Sequence, residues 1–204
     1  MSSERTRARI LPRMRIVAGE LRGRKLVAPE TAHGQPITTR PTTDRVREAV
    51  FNALGSLDVV VGATVVDLYA GSGALGIEAL SRGAAHCTFV ENDRAALSAI
   101  HANIAALGLG DRTRVMNGNA TVMASRVRAD IAFADPPYTF DEWPALLDAV
   151  DAELLVAESP RVVDAAPGWE QGRTKRYGRT WVTFLHRVGE GSDRVRPDAG
   201  GQLP

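Results

Sequence analysis

Cysteine is almost absent from this sequence, since Cys87 is the only one among its 204 residues. A single cysteine cannot form an internal disulfide and cannot by itself build a thiolate zinc site, which favours a reducing compartment. The four histidines, at positions 33, 86, 101 and 186, are scattered without the spacing of metal ligands. The sequence therefore predicts neither a disulfide framework nor a metal site.

Long hydrophobic runs are also missing. The longest, residues 59–66, is interrupted by Gly62 and falls far short of the roughly 18 residues that a membrane helix needs. Residues 1–13 lack the apolar core of a secretory signal. Hydrophobic residues nevertheless make up 44% of the chain and charged residues 24%, the balance of a globular protein. These features predict a cytoplasmic protein without a membrane segment.

Lysine is scarce, because 23 of the 25 basic residues are arginines, and the basic charge is concentrated at one end. Residues 1–47 hold eleven basic and four acidic side chains, a balance of +7, whereas the remainder holds 14 basic and 20 acidic ones. Such polarity favours a polyanionic partner, since arginine binds phosphates and releases their counterions. A merely solvated arm would show the same imbalance.

The chain divides into two predicted tails, a short extension and one main domain. Residues 1–13 predict a flexible basic tail, and residues 189–204, rich in Gly, Pro and charge, predict a second. Within the extension at 14–41, residues 14–28 predict two short strands joined by a turn around 22–24, followed by a linker. In the main domain, 42–188, Thr42 or Thr43 is expected to cap a first helix that ends at Gly55.

From residue 64 onward, short β-branched runs alternate with helical patterns, which is typical of a parallel sheet covered on both faces. Helices are expected in the first four gaps, the clearest running from Asp93 as its N-cap to Gly108. The last two strands are too close in sequence for a parallel crossover and must form an antiparallel hairpin. The fold class predicted is α/β, Rossmann-like. The strands are predicted at 64–68, 86–91, 113–116, 130–134, 154–157, 173–177 and 181–187.

A glycine-rich loop follows the first strand. Gly71, Gly73 and Gly76 can bring the backbone close to a ligand and present amides at a helix N-terminus, an arrangement that a dinucleotide site shares. Asp67 argues against a dinucleotide, because a carboxylate there would repel a pyrophosphate but can hold a cationic amino-acid group. Glu91 ends the second strand 20 residues after Gly71, where it can accept hydrogen bonds from both hydroxyls of a ribose.

A second loop, Asp135-Pro136-Pro137-Tyr138, directly follows an apolar strand. Ligands of open α/β sheets bind outside the carboxyl ends of the strands, so this loop should face the same crevice as the glycines. The two prolines stiffen the loop and leave carbonyl acceptors, while Asp135 adds a carboxylate and Tyr138 offers a ring for stacking. This combination predicts a site for a planar exocyclic amine.

These motifs resemble those of class I S-adenosylmethionine-dependent methyltransferases, and within them the RsmD family of small-subunit ribosomal RNA guanine-N2 methyltransferases. The resemblance covers residues 14–187, with later similarities at Glu158 and at Tyr177-Gly178. It implies a seven-stranded sheet with an antiparallel last strand, and methylation of guanine 966. Relatives of this fold often hold the adenine with an acidic residue, where this chain has Asn119. The stretches that carry the resemblance are residues 14–26, 40–52, 67–80 and 135–138.

Three sets of site residues follow from the motifs and the resemblance. Catalysis is expected from Asp135, Pro136, Pro137 and Tyr138. Contacts with the cofactor, S-adenosylmethionine, are expected from Asp67, Tyr69, Ala70, Gly71, Ser72, Gly73, Gly76, Glu91, Asn92, Asn119, Ala120 and Asp135. Contacts with ribosomal RNA, within a small-subunit particle, are expected from Arg15, Arg22, Arg24, Lys25, Arg40, Arg45 and Arg47.

Two other functions stay open at this point. Adenine-N6 methylation of DNA or RNA uses the same kind of loop, more often with Asn at the position of Asp135. A non-catalytic Rossmann-like module that binds RNA or a nucleotide would also carry a glycine loop and a basic segment.

Overall fold

The computed structural model describes residues 14–29 and 41–189. Its helices are α1 (Pro41–Ser56), α2 (Ala74–Ser81), α3 (Arg94–Leu107), α4 (Ala120–Ala124) and α5 (Trp143–Ala149), with a 3₁₀ turn at Gly110–Arg112. Its strands are β1 (Thr64–Leu68), β2 (His86–Glu91), β3 (Thr113–Asn117), β4 (Arg128–Ala134), β5 (Asp151–Ser159), β6 (Trp169–Tyr177) and β7 (Thr180–Arg187).

The seven strands form one sheet in the order β3-β2-β1-β4-β5-β7-β6. Strands β1 to β5 are parallel, and β7 is inserted antiparallel between β5 and β6. The predicted Rossmann-like fold with its final hairpin is confirmed. Strand β6 starts earlier than predicted because it lies at the sheet edge, where most of its side chains are exposed and polar and give no hydrophobic pattern.

The first helix also begins earlier than expected. It starts at Pro41, so neither Thr42 nor Thr43 is the capping residue. Proline suits the first position of a helix, since the amide hydrogen that it lacks would have no partner there. The predicted N-terminal tail, most of the linker and the C-terminal tail, residues 1–13, 30–40 and 190–204, lie outside the described residues.

Each face of the sheet has its own core. On one face, α1, α2 and α3 pack over a cluster that includes Phe51, Phe89 and Phe133. On the other face, α4 and α5 pack over a cluster that includes Trp143 and Leu155. No helix of the described residues is long and apolar enough to cross a membrane.

The N-terminal segment, defined as residues 14–28, packs on the first of these faces and folds back on itself in a short hairpin, as predicted, but the pairing is too short to form two full strands. Its only antiparallel bridge joins Arg15 to Lys25, around a turn at residues 20–23. Several backbone amides of the segment donate hydrogen bonds to side chains of α2 and α3 and not to a second strand. The carboxylate of Glu78 accepts hydrogen bonds from the amides of Val17 (2.8 Å) and Ala18 (3.0 Å).

Candidate active site

A cavity of about 330 Å³ opens at the carboxyl ends of β1, β4 and β5. The glycine loop after β1 forms one side of it, α1 contributes Arg47, and the N-terminal segment with Pro29 forms a further wall. This position agrees with the rule that open α/β sheets bind ligands at this edge. The lining residues are Met14, Pro29, Arg47, Asp67, Tyr69, Ala70, Gly71, Ser72, Ala74, Leu75, Asp135 and Glu158.

Three acidic side chains meet in this cavity. Asp67 comes from the end of β1, and Asp135 and Glu158 come from the ends of β4 and β5. The last pair in the β4–β5 register is Ala134 opposite Ala157, so Asp135, the first residue after β4, and Glu158 on β5 each lie one residue beyond that pair. Side chains paired in this way lie on the same face of a sheet. The sheet register therefore places two carboxyl groups side by side beneath the cavity.

Ionisation of these three acids is energetically unfavourable in this environment. Burial is the main cause that raises the pKa of Asp67 to about 8, although the amide of Gly76 donates a hydrogen bond (2.9 Å) that opposes the rise. Burial likewise raises the pKa of Asp135 to about 6, even though its surface is open to the cavity. The pKa of Glu158 is raised well above its usual range by burial first and then by Asp135. A cation entering the cavity would relieve these costs by stabilising the ionised forms.

Arg47 does not lie on the surface, as its predicted contact with RNA phosphate would require. It is only 4% exposed and lines the cavity. Its guanidinium donates hydrogen bonds to the carbonyl of Arg15 (2.6 Å) and the carboxylate of Asp44 (2.9 Å). The inward face of α1 explains this placement, which corrects the prediction: Arg47 is a counter-charge within the cavity, and it opposes the rise in the pKa of Glu158.

The glycine loop is tied to the second strand. The carboxylate of Glu91 accepts hydrogen bonds from the amides of Gly71 (2.7 Å), Asn92 (2.7 Å) and Asp93 (2.9 Å). The predicted ribose acceptor thus lies against the loop that lines the cavity. Glu91 and Asn92 were both predicted to contact the cofactor. In the structure the backbone amide of Asn92 donates its hydrogen bond to the Glu91 carboxylate.

Tyr69 adopts a left-handed backbone conformation (φ +60°), which is strained for a residue with a side chain. Its hydroxyl hydrogen-bonds with Thr121 (3.1 Å), and its ring packs edge-on against Phe140. These contacts hold the strained turn, which carries the chain from β1 into Ala70 and Ser72 on the cavity wall.

Gly73 and Gly76 lie behind the cavity wall and serve packing. At Gly76 a Cβ atom would collide with the side chains of Cys87 and Phe89, so only glycine lets α2 pack this closely on β2. Gly73 begins α2 with a left-handed conformation (φ +79°) that favours glycine. At these two positions glycine is therefore needed because helix α2 packs closely against strand β2.

Asn119 and Ala120 lie beyond the end of β3, outside the lining of the cavity. The side-chain oxygen of Asn119 caps α4 by accepting a hydrogen bond from the amide of Val122 (3.2 Å). Ala120 is buried beneath it. Asn119 is exposed, and no hydrogen bond from its side-chain amide nitrogen is found among the described residues.

The Asp-Pro-Pro-Tyr loop is fixed at both ends. The amide of Phe140 donates a hydrogen bond to the carbonyl of Pro137 (2.8 Å), which closes the turn, and the hydroxyl of Tyr138 hydrogen-bonds with Thr180 on β7 (3.0 Å). The Tyr138 ring is 52% exposed and can offer a face to a ligand. Among the described residues, no hydrogen bond to the carbonyl of Pro136 or the carboxyl group of Asp135 is found. Two acceptors are thus left for an incoming donor.

The basic residues predicted to bind RNA are distributed over the N-terminal segment and α1. Arg15, Arg22 and Arg45 are exposed and line a shallow groove of about 430 Å³ together with two acidic residues. Lys25 is exposed nearby, and Arg24 donates a hydrogen bond to the carbonyl of residue 106 at the end of α3 (3.0 Å). Arg40 lies outside the described residues. Residues 15, 22 and 45 form the basic groove referred to below.

Five residues that line the cavity have no role predicted from the sequence: Met14, Pro29, Ala74, Leu75 and Glu158. Glu158 was noted only as a similarity at the end of the fifth strand, yet it lines the cavity with Asp135. Its place directly after an apolar strand, like that of Asp135, was the available signal. Met14 gave no such signal, because its hydrogen-bond contact with Ser72 (3.1 Å) joins residues 58 positions apart.

The sheet order, the glycine loop and the acid-lined cavity define a class I methyltransferase fold. The solved structure of yhhF from Escherichia coli, described as a candidate methyltransferase, matches with a TM-score of 0.75 and 36% identity over 87% of this chain and 99% of that one. A hypothetical protein from Thermus thermophilus matches with a TM-score of 0.67 and 31% identity over 86% of this chain and 99% of that one.

Sequence comparisons narrow the class to a family. The family model described as "Conserved hypothetical protein 95" matches residues 14–186. Ribosomal RNA small subunit methyltransferase D of Escherichia coli (strain K12) is 38% identical over 87% of this chain and 92% of its own length. YlbH of Bacillus subtilis (strain 168), named as a candidate rRNA methyltransferase, is 36% identical over 86% of this chain and 100% of its own. The chain belongs to this family, the RsmD family.

Proposed function

We propose that this protein transfers a methyl group from S-adenosylmethionine to the exocyclic N2 of a guanine in small-subunit ribosomal RNA, guanine 966. The observation that carries the proposal is the rigid acceptor loop at Asp135, whose carboxyl group lines the same cavity as Asp67 and the glycine loop. The names of two similar proteins, which specify ribosomal RNA, support the substrate class. That the protein acts in the cytoplasm, and that its substrate is a ribosomal particle, remain predictions.

The cavity fits the chemistry of the cofactor. S-adenosylmethionine, when bound, supplies an electrophilic methyl group on a sulfonium centre. Its two cationic groups suit an acid-lined cavity, with Asp67 positioned for the ammonium group. Glu91 would accept hydrogen bonds from ribose hydroxyls by exchanging its contact with the Gly71 amide, and the free amide nitrogen of Asn119 would reach the adenine.

The Asp-Pro-Pro-Tyr loop would orient the nucleophile. The N2 amine of guanine is a poor nucleophile because its lone pair is delocalised into the ring. Asp135 and the Pro136 carbonyl would accept hydrogen bonds from its two N–H groups and aim the lone pair into the cavity, while Tyr138 would stack on the base; as the N–CH3 bond forms and the S–CH3 bond breaks, the nitrogen loses one of these protons. Orientation can contribute up to about 7–11 kcal/mol in well-aligned systems, and stacking about 1–3 kcal/mol. The Tyr138–Thr180 hydrogen bond preorganises that ring.

The basic groove would hold the RNA by its backbone while the target base enters the cavity. Reaching N2 requires a guanine that is unpaired or extruded from a helix. The exposed guanidinium groups of Arg15, Arg22 and Arg45 are suited to bidentate phosphate contacts. The N-terminal segment would thus join an RNA-binding surface to a wall of the cofactor cavity, because Met14 lies in that wall.

A methyl-transfer assay on small-subunit ribosomal RNA, with product nucleosides separated by mass spectrometry, tests the proposal. N2-methylguanosine is the expected product, and N6-methyladenosine would instead support the adenine alternative. For the non-catalytic alternative, calorimetry is decisive: we expect binding of S-adenosylmethionine, and binding of NAD in its place would favour a nucleotide-binding module. The position is tested by methylating ribosomal RNA from cells lacking the protein and mapping the modified nucleotide, which we expect to be guanine 966.

A further inference from the structure

Glu158 occupies a position that the proposed chemistry has not yet used. It extends from the end of β5, next to Asp135 in the register of adjacent parallel strands, and lines the same cavity. On its other side β5 pairs with β7, where Glu158 lies opposite Val182. Since β7 also carries the Thr180 that fixes Tyr138, Glu158 lies between the acceptor loop and the strand that anchors the stacking ring.

The hydrogen-bonding edge of guanine has a feature that few bases share. N1–H and N2–H are adjacent donors that point in the same direction, whereas adenine presents an acceptor at N1 beside its N6 donor. A carboxylate offers two parallel acceptors and no donor. It therefore complements the guanine edge and leaves an acceptor facing an acceptor when the base is adenine.

We propose that Glu158 reads the guanine edge, accepting a hydrogen bond from N1–H and sharing one N2–H with the Pro136 carbonyl, while Asp135 accepts a hydrogen bond from the other N2–H. This inference rests on the proposed function and adds to it the residue that selects guanine over adenine. A further acceptor is needed because the two amine hydrogens and N1–H present three donors to the site, and Asp135 and the Pro136 carbonyl were assigned only the two of the amine.

The electrostatics of the cavity agree with this role. In the ligand-free protein burial, and then the neighbouring Asp135, raise the pKa of Glu158 and favour its protonated form, and Arg47 opposes them. A bound sulfonium cation and two base donors both favour the ionised carboxylate. Glu158 thus reaches the form that is selective for guanine when cofactor and base are present.

The test compares guanine with 2-aminopurine at the target position of ligated small-subunit ribosomal RNA, assembled into subunits before assay. 2-Aminopurine keeps the N2 amine but has an acceptor at N1 and no O6. In Glu158→Gln, the side-chain amide would accept from N2–H and donate to the N1 of 2-aminopurine. We expect wild type to prefer guanine by about 100-fold or more in kcat/KM, and Glu158→Gln to shrink that preference at least about tenfold.

Two further variants separate recognition from structure. Glu158→Ala should lower kcat/KM on guanine without improving 2-aminopurine, since alanine complements neither edge. Glu153→Gln is the matched control, because Glu153 is exposed on the same strand and lies outside the cavity; it should keep the wild-type preference. Comparing ratios across variants cancels the effect of the missing O6, and cofactor affinity establishes that each variant is folded.

The outcomes are distinguishable. If wild type forms N2-methylguanosine and Glu158→Gln keeps the wild-type preference, or loses activity on both bases equally, Glu158 does not read the base. If wild type forms no N2-methylguanosine on unmodified RNA, the proposed function itself fails, and this inference fails with it.

Discussion

The side-chain amide of Asn103, on α3, donates a hydrogen bond to the carbonyl of Ser72 in the glycine loop over 3.0 Å. The same side chain donates to the carbonyl of Val27 (3.0 Å) and accepts from its amide (2.7 Å). Asn103 is almost fully buried, at 1% exposure. One residue therefore fastens the glycine loop and the N-terminal segment to the same helix, and two walls of the cavity depend on it.

Replacing this residue should weaken both the fold and the cofactor site. Asn103→Ala removes three hydrogen bonds to the backbone and leaves the buried carbonyl of Ser72 without this partner, and an unpaired buried group of this kind costs about 1–3 kcal/mol. We expect the free energy of unfolding, measured in urea, to fall by at least about 2 kcal/mol and the Kd for S-adenosylmethionine to rise. Asn52→Ala, at an exposed site on α1, is the control. Unchanged stability in Asn103→Ala would show that the segment is held in another way.

Cofactor binding should release protons at pH 7. Burial raises the pKa of Asp67 to about 8, so this group is largely protonated in the ligand-free protein. A cationic ligand favours the ionised form, and the proton leaves on binding. Calorimetry in buffers of different ionisation enthalpy should show about one proton fewer released by Asp67→Asn than by wild type. Asp58→Asn, an exposed control, should match wild type; equal release by both variants would contradict the role of Asp67.

The same group makes the ligand-free protein less stable as the pH rises. A carboxyl whose pKa is raised by folding binds its proton more tightly in the native than in the unfolded state, so stability falls between the unfolded value of 3.8 and the native value of about 8. Asp67→Asn removes the ionisation and keeps an acceptor for the Gly76 amide. Between pH 5 and pH 8 its stability should rise relative to wild type by at least about 1.4 kcal/mol, the equivalent of one pKa unit. A pH-independent difference would mean that Asp67 is not perturbed in this way.

RNA binding should depend on salt through the basic groove. Each phosphate contact contributes about 0.7–0.9 to the slope of log affinity against log salt. Neutralising Arg15, Arg22 and Arg45 together should therefore reduce that slope by about 2, measured by filter binding or anisotropy. Arg126 precedes β4 and Arg128 begins it, so both lie at the opposite end of the strand from the cavity. The double alanine variant of these two residues is the control. A slope that is unchanged by the triple substitution would mean that the groove is only a solvated surface.

Elements whose determining residues are close together in the sequence could be predicted, whereas those that depend on distant residues could not. Strands β1 to β5 and the helix from Asp93 to Gly108 could be found because their patterns are local: apolar runs, an N-cap and a C-terminal glycine. The edge strand β6 was recognised only in part, since exposure on both faces removes the alternation. In the N-terminal segment the predicted hairpin is limited to one bridge, because the amides of Val17 and Ala18 bond to Glu78, about 60 residues away, and nothing in the segment itself indicates that partner.

The candidate site shows the same division. Asp67, Gly71 and Asp135 lie at or just after strand ends, and the topology of an α/β sheet brings such positions to one edge, so their meeting in one cavity was predictable. Arg47 was placed wrongly because charge counts do not reveal which face of a helix a residue occupies. Its burial required the tertiary contact with the Arg15 carbonyl.

The central claim is that a stiff loop bearing Asp135 orients an amine beside the cofactor, and kinetic separation of the two functions tests it most directly. Turnover and cofactor affinity should be measured for Asp135→Ala and for wild type on the same RNA. The account predicts that the variant loses at least about 100-fold in kcat, as expected when a group that orients the reacting amine is removed, while its Kd for S-adenosylmethionine stays within a few-fold of wild type. Near-normal turnover by Asp135→Ala would contradict it.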